Sequence, residues 1–110
     1  MPVIDTTLEQ MRESYDWNTD IGVMSYAKEF KLDDVAEVIA SHEGEGDGED
    51  WIGVFKLKNG KYGLVIAGCD YTGWDWQAGG HSAVADTLDE LVRFKMTTGE
   101  RKYTGLTLVE

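Results

Sequence analysis

Cysteine occurs once in this chain, at position 69, and proline once, at position 2. A lone cysteine forbids an internal disulfide, so packing must hold the fold and a reducing compartment suits it. One proline against thirteen glycines means that bends are made with glycine. No apolar run approaches the ~20 residues that span a bilayer. The opening stretch, "MPVIDTTLEQMRESYDW", lacks the basic-then-apolar pattern of a secretory signal. These absences read as a soluble, cytoplasmic protein that does not engage membranes. Bases are scarce in one half alone. Residues 1–50 hold fourteen acids against Arg12, Lys28 and Lys31, whereas residues 51–110 hold seven acids and seven bases. The net charge of −11 therefore belongs to the first half. From Asp33 to Asp50 there are eight acids and no base. Such a surface repels phosphate backbones, which argues against direct nucleic-acid binding. It attracts basic protein surfaces and speeds encounter with them.

What is present is one domain, residues 1–110, with an ordinary apolar share of 42%. Thr6 or Thr7 is placed to cap a first helix, with Glu9 or Gln10 as the reciprocal partner. Ile4, Leu8, Met11 and Tyr15 form its apolar stripe. A second helix is expected from Asp20 to Phe30, burying Val23, Ala27 and Phe30. Asp33 then caps a third, with Leu32, Val35, Ala36, Val38 and Ile39 inward. Asp33, Asp34 and Glu37 would sit near its first turn, where the helix dipole favours carboxylates.

"WIGVFKLK", "NG", "KYGLVIAG" reads as a β-hairpin over about 51–68. Asn59-Gly60 suits a two-residue type I′ turn. That turn would pair Leu57 with Tyr62, Phe55 with Leu64, Gly53 with Ile66 and Trp51 with Gly68 on one apolar face. Lys58 would pair with Lys61, Lys56 with Gly63, Val54 with Val65 and Ile52 with Ala67 on the other. "HSAVA" supplies a short third strand, and Thr87 with Glu90 opens a helix that buries Leu88, Leu91 and Val92. A last helical turn is expected around Arg101–Tyr103. The expected fold is α+β: a small antiparallel sheet built on the hairpin, with three to four helices packed on one face.

Three stretches carry candidate chemistry. "HEGEGDGED" (42–50) places Glu43, Glu45, Asp47 and Gly48 at the spacing of a calcium loop. Asp50 and Val54 then fall where that loop needs an apolar residue and a bidentate glutamate, so divalent-metal binding at 43–50 is the weaker alternative. Cys69 with His42 or His81 could form a thiol–imidazole pair, but Asp70 opposes thiolate formation. Two histidines and one cysteine are also too few for a usual zinc site. No cofactor, metal or catalytic set is expected. Tyr71, Trp74 and Trp76, with Asp70 and Asp75 beside them, either cover the core or present an aromatic anchor. One tryptophan should pack inward and the other stay partly exposed. A small-ligand or enzymatic pocket near Cys69, Tyr71, Trp74 and His81 is the main alternative to a binding surface.

"AGCDYTGWDWQAGGHSAVADTLDELVRFKMT" resembles a stretch of small acidic proteins of bacteriophages and bacteria, marked by a segment like "AGCDYTGWD" and a following "TLDELVR". The likeness spans roughly residues 51 to 97. Proteins of that group often carry a second cysteine after "GWD", where this chain has Trp76. The resemblance implies a phage-type setting, with the protein acting in host cytoplasm, but supplies no activity. The expectation is a non-enzymatic protein, monomeric or homodimeric, that binds a larger protein with a basic surface. Its contacts would come from Asp33, Asp34, Glu37, Glu43, Glu45, Asp47, Glu49 and Asp50, with Tyr71, Trp74, Asp75 and Trp76 alongside. A host nucleic-acid-handling or defence complex, inhibited by DNA mimicry in the manner of anti-restriction or anti-CRISPR proteins, is the expected partner.

Overall fold

The computed structural model describes residues 3–18, 22–44, 50–69 and 77–106. Four strands follow one another as an antiparallel meander: β1 (Val35–His42), β2 (Trp51–Leu57), β3 (Tyr62–Cys69) and β4 (Gln77–Ala85). Three helices flank them: α1 (Leu8–Glu13), α2 (Leu88–Lys95) and α3 (Thr98–Thr104). Short 3₁₀ turns occupy Val23–Tyr26 and Leu32–Asp34.

The helix expected from Asp33 is instead strand β1. Its apolar residues Val35, Val38 and Ile39 step by three and one, which imitates a helix. The cause is two bulges in the pairing with β2, between Val35 and Glu37 and between Val38 and Ala40. Each bulge inserts one extra residue, so a period of two stretches locally to three. β-branched side chains then decide in favour of strand. The helix expected over Asp20–Phe30 shrinks to the single turn Val23–Tyr26 among the described residues.

The hairpin exists, but its register differs from expectation by one residue. Lys56 pairs with Tyr62, Val54 with Leu64, Gly53 with Val65 and Ile52 with Ile66. Leu57 donates its N–H to the Lys61 carbonyl at 2.8 Å, leaving Lys58, Asn59 and Gly60 as a three-residue loop. Gly60 has φ +90°, while no described non-glycine residue has a positive φ. A type I′ turn needs Asn59 in that region too. The chain uses a turn followed by one left-handed glycine, the commonest three-residue alternative. The slip moves every β3 side chain to the opposite face from the one expected. A methyl on Gly60 would meet nothing within 4 Å. Gly60→Ala should therefore cost about 1–2 kcal/mol purely as backbone strain, and Gly60→Asn about half as much, both read from urea unfolding. Equal stability of all three proteins would contradict this turn.

The helices do not pack on one face; the sheet is covered on both. On one side Met11, Trp17, Val23, Met24, Phe30 and Leu32 bury Val35, Trp51, Phe55, Leu57, Val65 and Ala67. On the other, Leu91 and Val92 of α2, with Met96 and Leu106, bury Ala40, Ile52, Val54, Leu64, Ile66 and Ala85. That explains the unbroken apolar run in β2, which alternation alone would not give. Gly53, Gly63 and Gly80 belong to the first face. A methyl on Gly63 would lie 2.7 Å from the Phe30 ring, and one on Gly80 2.6 Å from Tyr26. These glycines are flat seats for aromatic rings from the N-terminal layer.

The caps follow expectation more closely. Thr7 and Gln10 cap α1 reciprocally, and Thr87 accepts from the Glu90 N–H at the start of α2. α3 is longer than the single turn expected, and Gly105 ends it at φ 75°. Arg101 of α3 reaches back to the carbonyls of Val92, Arg93 and Met96, satisfying the end of α2.

Candidate functional site

β1 runs along one edge of the sheet and divides the acidic residues into two groups. Asp33, Asp34 and Glu37 lie at its start, beside the hairpin turn, and all are exposed. Glu43 follows its last residue, and Asp50 precedes β2 at that same far end; both are exposed. Eight residues at ~3.3 Å each separate the two ends by about 25 Å. Glu45, Asp47 and Glu49 lie outside the described residues, as do Tyr71, Trp74, Asp75 and Trp76.

The two groups differ in company. Asp33 shares a cleft of about 260 Å³ with Arg12 and Lys31. Asp34 shares a shallow cleft with Lys58, and Glu37 lies directly opposite Lys56 in the ladder. Opposite charges placed so across a sheet attract by a few tenths of a kcal/mol up to about 1. The hairpin-end acids therefore have cations beside them. At the far end the carboxylates are instead gathered by hydrogen bonds. The Glu43 N–H donates to Asp5 Oδ2 at 3.3 Å, and the Thr6 hydroxyl donates to Glu43 Oε2 at 3.1 Å. His42 Nδ1 lies 3.3 Å from Asp5 Oδ2. The His42 ring stacks on Tyr103 of α3 with centroids 4.6 Å apart.

A buried hydroxyl organises this corner. Ser41 Oγ accepts from the N–H groups of Asp5 and Thr6 and donates to the Thr6 carbonyl. The Ser41 backbone donates to the Val3 carbonyl at 2.9 Å, and Asp5 N–H donates back at 3.4 Å. Residues 3–5 thus run parallel to the end of β1, joined to it by a single bridge at Ile4. Sequence reasoning missed this corner because residues 5, 43 and 103 are far apart in the chain and carry no shared spacing. The apolar spacing of Ile4 with Leu8 and Met11 pointed to a helix face, whereas Ile4 precedes the helix and is half exposed.

Compared with known protein families, curated proteins and solved structures, the chain matches none. The site must be read from its own chemistry.

Cys69 closes β3 opposite Gln77. His42, Ile52, Ile66 and His81 form one row across the four strands. The two histidines are therefore about three strand spacings, or ~14 Å, apart. Cys69 lies a further three residues along β3 from that row. This arrangement does not bring both imidazoles and the thiol residue to one place. Among the described residues no group of three His, Cys, Asp or Glu side chains converges to hold a metal ion. The calcium-like segment and the aromatic part of the expected ligand pocket fall outside the described residues. No described helix is long and apolar enough to cross a membrane.

Proposed function

We propose that this chain is a non-enzymatic binding protein whose acidic first half docks on the basic surface of a larger protein partner. The observation that carries this reading is the fate of the carboxylates. The Lys and Arg ion pairs among the described residues, Lys61–Asp86 and Arg93–Asp89, both use acids of the second half. Asp5, Glu43 and Asp50 stand exposed at the far end of β1, the first two linked through hydrogen bonds and His42. Clustered carboxylates repel one another, and a cationic partner relieves that repulsion on binding. The split seen along β1 concentrates the effect at the end formed by Asp5, Glu43 and Asp50, with Glu45, Asp47 and Glu49 between them in sequence.

The partner class is a nucleic-acid-handling protein, and the mode is competition: carboxylates occupy positions that phosphates would take. A phage-type inhibitor of restriction or CRISPR complexes has this chemistry. The test is displacement. Purified restriction and CRISPR effector proteins, each loaded with fluorescent duplex DNA, are titrated with the chain at low and high salt. Release of DNA from at least one member at low salt, weakening by about tenfold or more between 50 and 200 mM salt, is the expected result. Retention of DNA by every member at all salt concentrations would contradict the mimicry.

A further inference from the structure

The corner where residues 3–5, the end of β1 and α3 meet is more than a set of charges. Val3, Ile4 and Tyr103 are 42%, 51% and 39% exposed there, a large share of the exposed large apolar groups among the described residues. Phe94 and Tyr15 are the others among the described residues. Among the described residues the corner also has an open backbone edge. Val3 and Asp5 turn their carbonyl and N–H toward Ser41. In a parallel pairing the residue between them turns its own groups outward, so the Ile4 N–H and C=O face away from β1. Val3 is further anchored by its N–H to the Thr104 carbonyl at 2.8 Å. The result is a fixed, outward-facing strand edge with apolar side chains, flanked by Asp5 and Glu43.

We propose that this edge captures an extended, basic segment of the protein partner, one in which apolar residues alternate with Lys or Arg. The proposal rests on the binding reading above and names where that binding is seated. Extended segments add to a sheet edge through main-chain bonds, and side chains on alternate positions supply specificity. Here the Ile4 N–H and C=O offer the ladder step. Ile4 receives the apolar side chains on one face, Val3 and Asp5 lying on the opposite face of the segment. Asp5 and Glu43 receive the cations. Charge complementarity decides the occupant: an acidic segment would meet the same two carboxylates, and a second copy of this chain would bring its own.

The test uses the full chain, labelled with ¹⁵N, and a capped seven-residue peptide of alternating Arg and Val at low salt. Saturable shifts are expected at Val3–Asp5, His42, Glu43 and Tyr103. Ile4→Ser removes the anchor from an exposed position, and Ile4→Pro removes the outward N–H; each should weaken binding about tenfold, the size of a modest interface anchor. The same peptide with Glu in place of Arg should cause no shift. Saturable shifts confined to Asp33–Glu37 would overturn this assignment while leaving the acidic binding reading intact. Absence of any shift would also overturn it, and the DNA-displacement result then judges the broader reading by itself. Full affinity in both Ile4 variants, or shifts at the corner that grow with protein concentration alone, would sink the proposal as well.

Discussion

Trp17→Ala should be among the most damaging single changes in this protein, lowering stability by about 4 kcal/mol. Trp17 is fully buried and belongs to the N-terminal layer that covers one face of the sheet. Its six-membered ring lies over Gly53 of β2, within 3.2 Å of where a β-carbon would be. Truncation would leave a cavity that the flat strand beneath cannot fill by moving. Against a typical total of about 5–15 kcal/mol, the loss is a large fraction. Trp17→Phe should be far milder, about 1 kcal/mol or less. The indole Nε1 is buried with no hydrogen-bond partner among the described residues. Replacing it with phenyl removes volume but also removes a desolvated donor, and the two effects oppose each other. Urea unfolding followed by circular dichroism separates the two variants. If Trp17→Phe cost as much as Trp17→Ala, the indole N–H would have to be making a bond that this packing does not contain.

Gly22→Ala should cost about 3 kcal/mol, for a different reason. Here the obstacle is backbone. A β-carbon at Gly22 would overlap the Asp16 carbonyl and lie 2.8 Å from the Tyr15 carbonyl oxygen. The Asp16 carbonyl already accepts from the Val23 N–H, and the Gly22 N–H is held by the Asn18 carbonyl, both at 2.8 Å. Relief would require breaking the tight reversal that feeds the Val23–Tyr26 turn. That turn holds Tyr26 over Gly80, so loss of protection should appear in hydrogen exchange on β4 as well as in the loop itself. Gly99→Ala is the contrasting control. Gly99 sits in α3 with its nearest neighbour, Thr97 Oγ1, 3.9 Å from the added carbon. Alanine is the better helix former, so stability should rise by about 0.5 kcal/mol. A Gly22→Ala protein as stable as the parent would show that Gly22 does not pack against the Asp16 carbonyl as described.

Parts of this architecture were legible in the sequence because they depend on neighbours in the chain. Asn59-Gly60 marked the hairpin, and Thr87 with Glu90 marked the start of α2. The apolar stretch after Gly80 marked β4. Register and layering depend on more distant partners and were not legible. A single left-handed residue at Gly60, rather than two at Asn59 and Gly60, shifted the pairing by one and reversed the faces of β3. Two bulges gave β1 the apolar spacing of a helix. The division of the helices between both faces, with Phe30 and Tyr26 on Gly63 and Gly80 and Leu91 of α2 on the opposite side, depends on such distant contacts. For the candidate site, the lopsided charge was plain from composition. Its concentration at one end was not, because that depends on Lys56 falling opposite Glu37 and on Ser41 drawing residues 5 and 43 together. Tyr103 entered from α3, far along the chain from its stacking partner His42.

The central claim is that the far end of β1, not the hairpin end, is the working acidic surface. The most direct measurement compares two neutralised proteins against the alternating Arg–Val peptide across a salt series. One carries Glu43→Gln and Asp50→Asn; the other carries Asp33→Asn, Asp34→Asn and Glu37→Gln. The first should lose most of its affinity and flatten its salt dependence, while the second stays within about twofold of the parent. The opposite ranking, or equal losses in both, would contradict the account.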